Sequence, residues 1–311
     1  MILSPLLTAP PFEWAGEISA ALSAVLWGSS GVVIALIRPP LSAAAINLGK
    51  NFAATLCFVA MLWTLSGSPV PQGLDGQAIV VFCASGFLGL AVCDTFLMRS
   101  LLDIGPQRMT LVFLLVPVLT SIAAMLPPFS EMPPPVAWLG IVVCLFGITM
   151  AVLRHADKAV DPPRFRRGVR NALIAAVFQA AAILLARYGL NVDDAPILDS
   201  AVVRMTAGTV GLALIGLCIG RLGLWTGELK RKKAALMLFA ASFFGTFLGI
   251  LTNQFGVAWA KHTGVASTLN SLMPIYLMPL SMLFLEEKYG KREVLATIIA
   301  VAGVALMMWG S

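Results

Sequence analysis

Three charged residues fall inside long apolar stretches of this chain: Lys50, Asp94 and Arg204. A charge at the centre of a bilayer costs about 2.5 to 3.5 kcal/mol on insertion scales, so each is a candidate for pairing, binding or proton transfer. Desolvation would suit Asp94 to take up and release a proton. The plainer chemistry is a neutralising pair. At about 1.5 Å of helix per residue from a shared end, Lys50 lies about 13 Å deep and Asp94 about 6 to 10 Å deep, so they can meet. Alternatively, the long stem of Lys50 carries its ammonium to the headgroups. Arg204 has no acid on its own helix face, because Asp199 is five residues back and only spacings of three or four share a face; Ser200 is its neighbour there. About 10 Å from the helix end, Arg204 is expected to reach the headgroups or pair with another helix rather than hold a ligand.

Uncharged polar residues in the same stretches must find hydrogen-bond partners. They are Ser29, Ser30, Thr95, Gln179, Thr252, Asn253, Gln254 and Asn270. Trp27, Phe113, Phe178 and Tyr276 can wall a small-molecule site, or serve only as packing. Pro117, Pro274 and Pro279 each remove a helical hydrogen bond and are hinge candidates. Glu131 and Glu287 open their segments and are expected to act as helix caps. No metal site, cofactor or catalytic residue is expected: the chain has two histidines, His155 and His262, on opposite faces, and no paired acidic motif within a span.

The elements that must position these residues follow from composition. Hydrophobic residues make up 59% and charged residues 12% of the 311, with mean hydropathy +0.91, which excludes an ordinary soluble domain. Breaks at proline, glycine and charge divide the chain into ten segments long enough to cross a bilayer. They run roughly 15 to 37, 41 to 65, 77 to 98, 107 to 127 and 134 to 153, then roughly 171 to 190, 197 to 220, 234 to 258, 264 to 285 and 293 to 310. The apolar runs are continuous rather than alternating, so the expected class is all-α integral membrane and not a closed barrel. The first segment lacks the positive flank of a cleavable signal and is expected to stay in the protein. Five cysteines, Cys57, Cys83, Cys93, Cys144 and Cys218, lie inside spans and read as small packing residues.

The second half repeats the first. Residues Glu131 to Met150 lie without gaps on Glu287 to Leu306, with Cys144 on Ala300 and Gly147 on Gly303. The expected units are a first repeat over 15–153 and a second over 171–310. Five spans per half is an odd number, so the second half enters the membrane upside down: an inverted repeat of ten transmembrane helices, the architecture of alternating-access transport. The small residues Gly140, Cys144 and Gly147, with Ala296, Ala300 and Gly303, mark spans five and ten as packing elements.

The charge of +6 sits on alternate connections. Arg38, Arg99, Arg108, the cluster at 154–170, the cluster at 230–233 and Lys288, Lys291 and Arg292 lie on one side; Arg187 and Lys261 lie on the other. By the positive-inside rule the rich side is cytoplasmic, placing both termini on the non-cytoplasmic side of a plasma (inner) membrane. The two clusters either bind anionic headgroups of the lipid bilayer or only set topology. Nucleic acid is not an expected partner, and a homodimer is left open.

Certain residues carry a family resemblance: Trp27-Gly28-Ser29, the basic-then-Ala pairs Lys50/Ala53 and Arg204/Ala207, Gly86 and Gly245, Pro117 and Pro274, and Glu131 and Glu287 ahead of Gly147 and Gly303. In this order and duplication the chain resembles the EamA branch of the drug/metabolite transporter superfamily over nearly its whole length. It departs from that pattern in Phe178-Gln179-Ala180, which replaces a second Trp-Gly-Ser, and in Lys50, where Arg is usual. The resemblance implies a central cavity lined by spans one, three, four, six, eight and nine. It makes Trp27, Ser30, Asp94, Phe113, Gln179, Asn253, Asn270 and Tyr276 the cavity candidates, with Asp94 the coupling candidate. It also implies termini in the cytoplasm, against the loop charges here, and export as the common direction among bacterial relatives.

The expected activity is secondary transport and not enzymatic: no G-x-x-x-x-G-K-[ST] loop is present for an ATP-driven pump on this chain, so the energy is expected from an ion gradient or the substrate's own. If Lys50 and Asp94 neutralise each other and Arg204 reaches the headgroups, the substrate is a small neutral, zwitterionic or lipophilic molecule. A membrane scaffold and an integral-membrane enzyme are the competing classes.

Overall fold

The computed structural model describes residues 12–130, 132–153, 161–193, 196–259 and 269–308, and among these the regular structure is helical throughout. In chain order the helices are α1 (Ala15–Ala35), α2 (Ala43–Ser66), α3 (Gly76–Gly86), α4 (Asp94–Phe113), α5 (Leu115–Ala123) and α6 (Pro135–Leu153). The second half contains α7 (Pro162–Asp193), α8 (Ile197–Cys218), the short α9 (Leu222–Glu228), α10 (Lys232–Ala241), α11 (Gly249–Trp259), α12 (Met273–Phe284) and α13 (Lys291–Met308).

Local chemistry sets the ends. Ser42 starts α2 by accepting from Ala45 N through its hydroxyl, and Gly67, at φ 75°, closes it in a conformation costly for other residues. Asp75 Oδ1 accepts from Ala78 N at 2.6 Å and starts α3. Glu287 was expected to cap the last span, but α13 begins at Lys291, and Glu293 in its first turn accepts from Gly290 N at 2.7 Å. Gly290 interrupts the chain between the two acids, leaving Glu287 in the preceding turn as acceptor of the Tyr289 hydroxyl. Glu131 and both histidines lie outside the described residues.

Among the described residues, six helical stretches are long and apolar enough to cross a membrane: Ala15–Ala35, Ala43–Ser66, Gly76–Phe113, Pro162–Leu190, Ile197–Cys218 and Lys232–Gly256. Helix also occupies the other expected segments, but physical interruptions shorten or merge it. Gly105, at φ 82° and ψ 165°, kinks the helical stretch that joins expected spans three and four, with Pro106 directly after it. Pro135 starts the shorter apolar helix of span five, span nine is described only over Leu269–Phe284, and three charges occupy the first turn of α13.

In both repeats the third helix of the unit changes to π geometry midway, over Phe87–Cys93 and over Ser242–Leu248. A wider turn frees backbone groups from the usual ladder, and such segments are frequent at functional sites. Each π segment packs against the opposite repeat. A methyl group at Gly86 would meet the backbone of Arg204, with its Cα at 2.7 Å, and one at Gly245 would collide with Ser30.

Helices α6 and α13 pack backbone to backbone, as their small residues require. A methyl at Gly140 would lie 2.6 Å from the Gly303 carbonyl, while Gly303 abuts Cys144 and Gly147 abuts Ala300. Leu111, Val118, Ile141, Ile148, Val301 and Val304 complete that core.

Contacts sort the connections into two groups. In one, Ser42 N donates to Glu228 Oε2, Arg231 to Pro39 O, and Arg167 to Asp103, while Arg108 faces Glu293. In the other, Gln72 and Gly73 donate backbone N–H groups to Asp199 Oδ2, and Arg187 lies over the Phe129 ring. The first group joins the connections richest in basic residues.

Candidate functional site

The polar interior is organised around the first π segment. Lys50 Nζ lies 2.5 Å from Asp94 Oδ2, with their side chains 10% and 13% exposed. Carbonyls that the π turn frees are taken by α2: Asn47 Nδ2 donates to Leu90 O at 2.8 Å and Asn51 Nδ2 to the same oxygen at 2.9 Å. Asn47 also donates to Thr95 Oγ1, whose own hydroxyl donates to Ala91 O. From the second repeat, Ser242 Oγ donates to the Lys50 carbonyl at 2.6 Å.

The matching region of the second repeat carries a smaller relay. Ser23 Oγ donates to Asn270 Oδ1 at 3.2 Å, and Asn270 Nδ2 donates to Asn253 Oδ1 at 3.0 Å, which brings expected spans one, eight and nine together. Ser30 Oγ donates to Ala241 O at 2.9 Å. Trp27 covers Gly249, where a methyl would lie 2.6 Å from the indole Nε1. Trp27 and Ser30 thus fasten α1 to the helix that contains the second π segment.

Gln179 lies across from the first π segment: a methyl at Gly89 would be 3.6 Å from its Oε1. Its neighbour Phe178 stacks on Phe96 at 6.5 Å between centroids, and Arg99 covers the other ring of that pair. The Arg204 guanidinium has its Nε buried with no hydrogen-bond partner among the described residues, and Asp94 is the charge that acts on it. Phe113 and Tyr276 are partly buried side chains. Leu114, three residues before Pro117, separates α4 from α5. Pro274 occupies the first turn of α12 and Pro279 its interior.

Sequence reasoning overlooked Asn47 and Asn51. Their spacing with Lys50, at 47, 50 and 51, puts all three on one helical face, a signal that was present. It also overlooked Glu17, whose Oε2 is buried without a hydrogen-bond partner among the described residues. Within the basic clusters, Arg167 grips Asp103 at 2.6 and 2.8 Å and Arg164 donates to Leu102 O, so these two side chains serve protein contacts. No group of three metal-ligating side chains occurs among the described residues.

Paired repeats, several membrane-spanning helices and in-span polar contacts define a multi-pass membrane protein of transporter type. The EamA-like transporter family matches residues 14–153 and 166–309, and the chain belongs to that family. Among solved structures, 28 chains match. One, described only as "Crystal structure of protein", aligns with a TM-score of 0.61 at 16% identity, covering 95% of this chain and 96% of the other, and so shares the fold. No curated protein matches.

Proposed function

We propose that the chain is a secondary transporter that moves a small neutral, zwitterionic or lipophilic metabolite by alternating access, with two inverted five-helix repeats rocking about a central path. The observation that carries this reading is the convergence of in-span polar residues from both repeats on the two π segments. A scaffold has no need of Lys50, Asp94, Gln179 and Arg204 around one bent helix, because each polar group inside a span costs insertion energy. The two groups of connections support ten crossings, since they alternate along the chain as crossings require. With the basic group on the cytoplasmic side of a plasma (inner) membrane, both termini face outward; export, the common direction among bacterial relatives, rests on the family resemblance alone.

In this reading Asp94 carries the coupling proton. Its protonation breaks the bond to Lys50 and loosens α2 from α4, giving the two arrangements that a transport cycle needs. Reconstitution in proteoliposomes tests the proposal: a metabolite that shifts the melting temperature of the purified protein should cross the bilayer faster when a proton gradient is imposed. A panel of binding metabolites with no protein-dependent flux would sink it.

A further inference from the structure

The second repeat holds a cation without the counterion that its equivalent has, and we propose that Arg204 binds a single negative charge on the transported molecule. This inference rests on the transport reading and replaces its uncharged substrates with a charged class: a small organic monoanion, or a zwitterion presenting one carboxylate, on an apolar body of about aromatic size.

Repeat equivalence supplies the first step. Lys50/Ala53 corresponds to Arg204/Ala207, and Asp94, aligned through Gly86 and Gly245, corresponds to Asn253. Lys50 is neutralised by Asp94 at 2.5 Å. Asn253 cannot ionise, and its Oδ1 already accepts from Asn270. Arg204 makes no ion pair or hydrogen bond among the described residues, and its Nε is buried. The acids whose side chains are not described, Glu131, Asp157, Asp193 and Asp194, belong to span ends and connections in the sequence. The group formed by Lys50, Asp94 and Arg204 therefore carries one net positive unit, two cations against one carboxylate.

A guanidinium whose only nearby acid is already engaged by Lys50 is unstable away from water until a second anion reaches it. One net unit matches a monoanion better than a phosphate dianion, because Lys50 is already engaged. The surroundings define the rest of the molecule. Gly86, just ahead of the first π segment, packs on the Arg204 backbone, and Asp94, just after it, is the charge that acts on the guanidinium. The Gln179 amide lies against the same segment at Gly89, and the Phe178–Phe96 ring pair adjoins it. A guanidinium, an amide and flat rings suit an aromatic or similarly sized acid.

Full-length protein in phosphatidylcholine nanodiscs, followed by thermal shift, tests the inference with benzenesulfonate against the uncharged benzenesulfonamide. Benzenesulfonate should raise the melting temperature of wild type and Arg204→Lys but not of Arg204→Gln, and benzenesulfonamide should move none of them. Equal shifts with the two compounds, a shift that survives Arg204→Gln, or no shift in wild type overturns it. The wild-type comparison needs no variant and decides the anion requirement even where Arg204→Gln fails to fold. Phosphatidylglycerol nanodiscs separate the two sources of anion: stabilisation of wild type over Arg204→Gln by this lipid alone, with nothing added by benzenesulfonate, assigns the charge to a headgroup and overturns the substrate reading. Flux of radiolabelled benzenesulfonate in proteoliposomes separates the two layers of the proposal. Binding without flux supports the anion subsite and removes the transport reading; flux of other solutes without anion binding removes the subsite alone.

Discussion

Lys50 Nζ meets Asp94 Oδ2 at 2.5 Å where the first π segment returns to α-helix. The pair bridges expected spans two and three, and its two flanks differ. On one side Asn47 and Asn51 hold the carbonyl of Leu90; on the other, Ser242 of the opposite repeat holds the carbonyl of Lys50. One charged contact thus lies at the junction of a bent helix, its neighbour and the other repeat, so that breaking it reaches all three.

Asp94→Asn should destabilise the protein by about 3 to 5 kcal/mol, because it strands a buried ammonium. Lys50→Gln with Asp94→Asn removes both charges and should recover most of the loss. Thermal melts of the two single variants and the double variant give the coupling directly; additive losses would show that the pair contributes no specific interaction.

Asn51→Leu removes one of two donors from the Leu90 carbonyl and should cost about 1 to 3 kcal/mol. Asn51→Asp keeps the shape but loses the donor, and should be no better. Melting temperatures in one detergent decide this. A neutral Asn51→Leu would mean that Asn47 alone satisfies the freed backbone.

Much of this architecture was legible in the sequence, for identifiable reasons. Repeats and apolar runs survive in one dimension, so the two halves and the packing of Gly140 and Gly303 could be read directly. Asp94 and Lys50 could be brought together by depth along their helices alone. The π segments could not, because no residue type marks a seven-residue change of helical pitch and hydropathy is unaltered by it. Nor could the relay from Ser23 through Asn270 to Asn253, which depends on how three helices are rotated about their axes. The cap on α13 shifted from Glu287 to Glu293 because the sequence shows where an apolar run begins but not where the chain first turns.

Gly303→Val should separate α6 from α13, since the glycine already touches the Cys144 backbone and a side chain must push the helices apart. Overpacking costs typically about 1 to 3 kcal/mol, and backbone contact puts this site at the upper end. Cys144→Ala should not rescue it, because the clash is with main-chain atoms. A Gly303→Val protein that melts with wild type would show that the helices are free to move apart.

Tyr289 should make stability fall at alkaline pH. Burial first, then its hydrogen bond to the Glu287 carboxylate and the charge there, raise the phenol above its usual value of 10.0. The folded state therefore retains a proton that the unfolded chain releases above about pH 10. This contribution is complete below pH 10 and declines above it, toward the raised folded value. Melting temperatures across pH 8 to 11.5 should show a loss above about pH 10 that is reduced in Tyr289→Phe, which has no proton to release. The same slope in both proteins would place the alkaline sensitivity elsewhere in the chain.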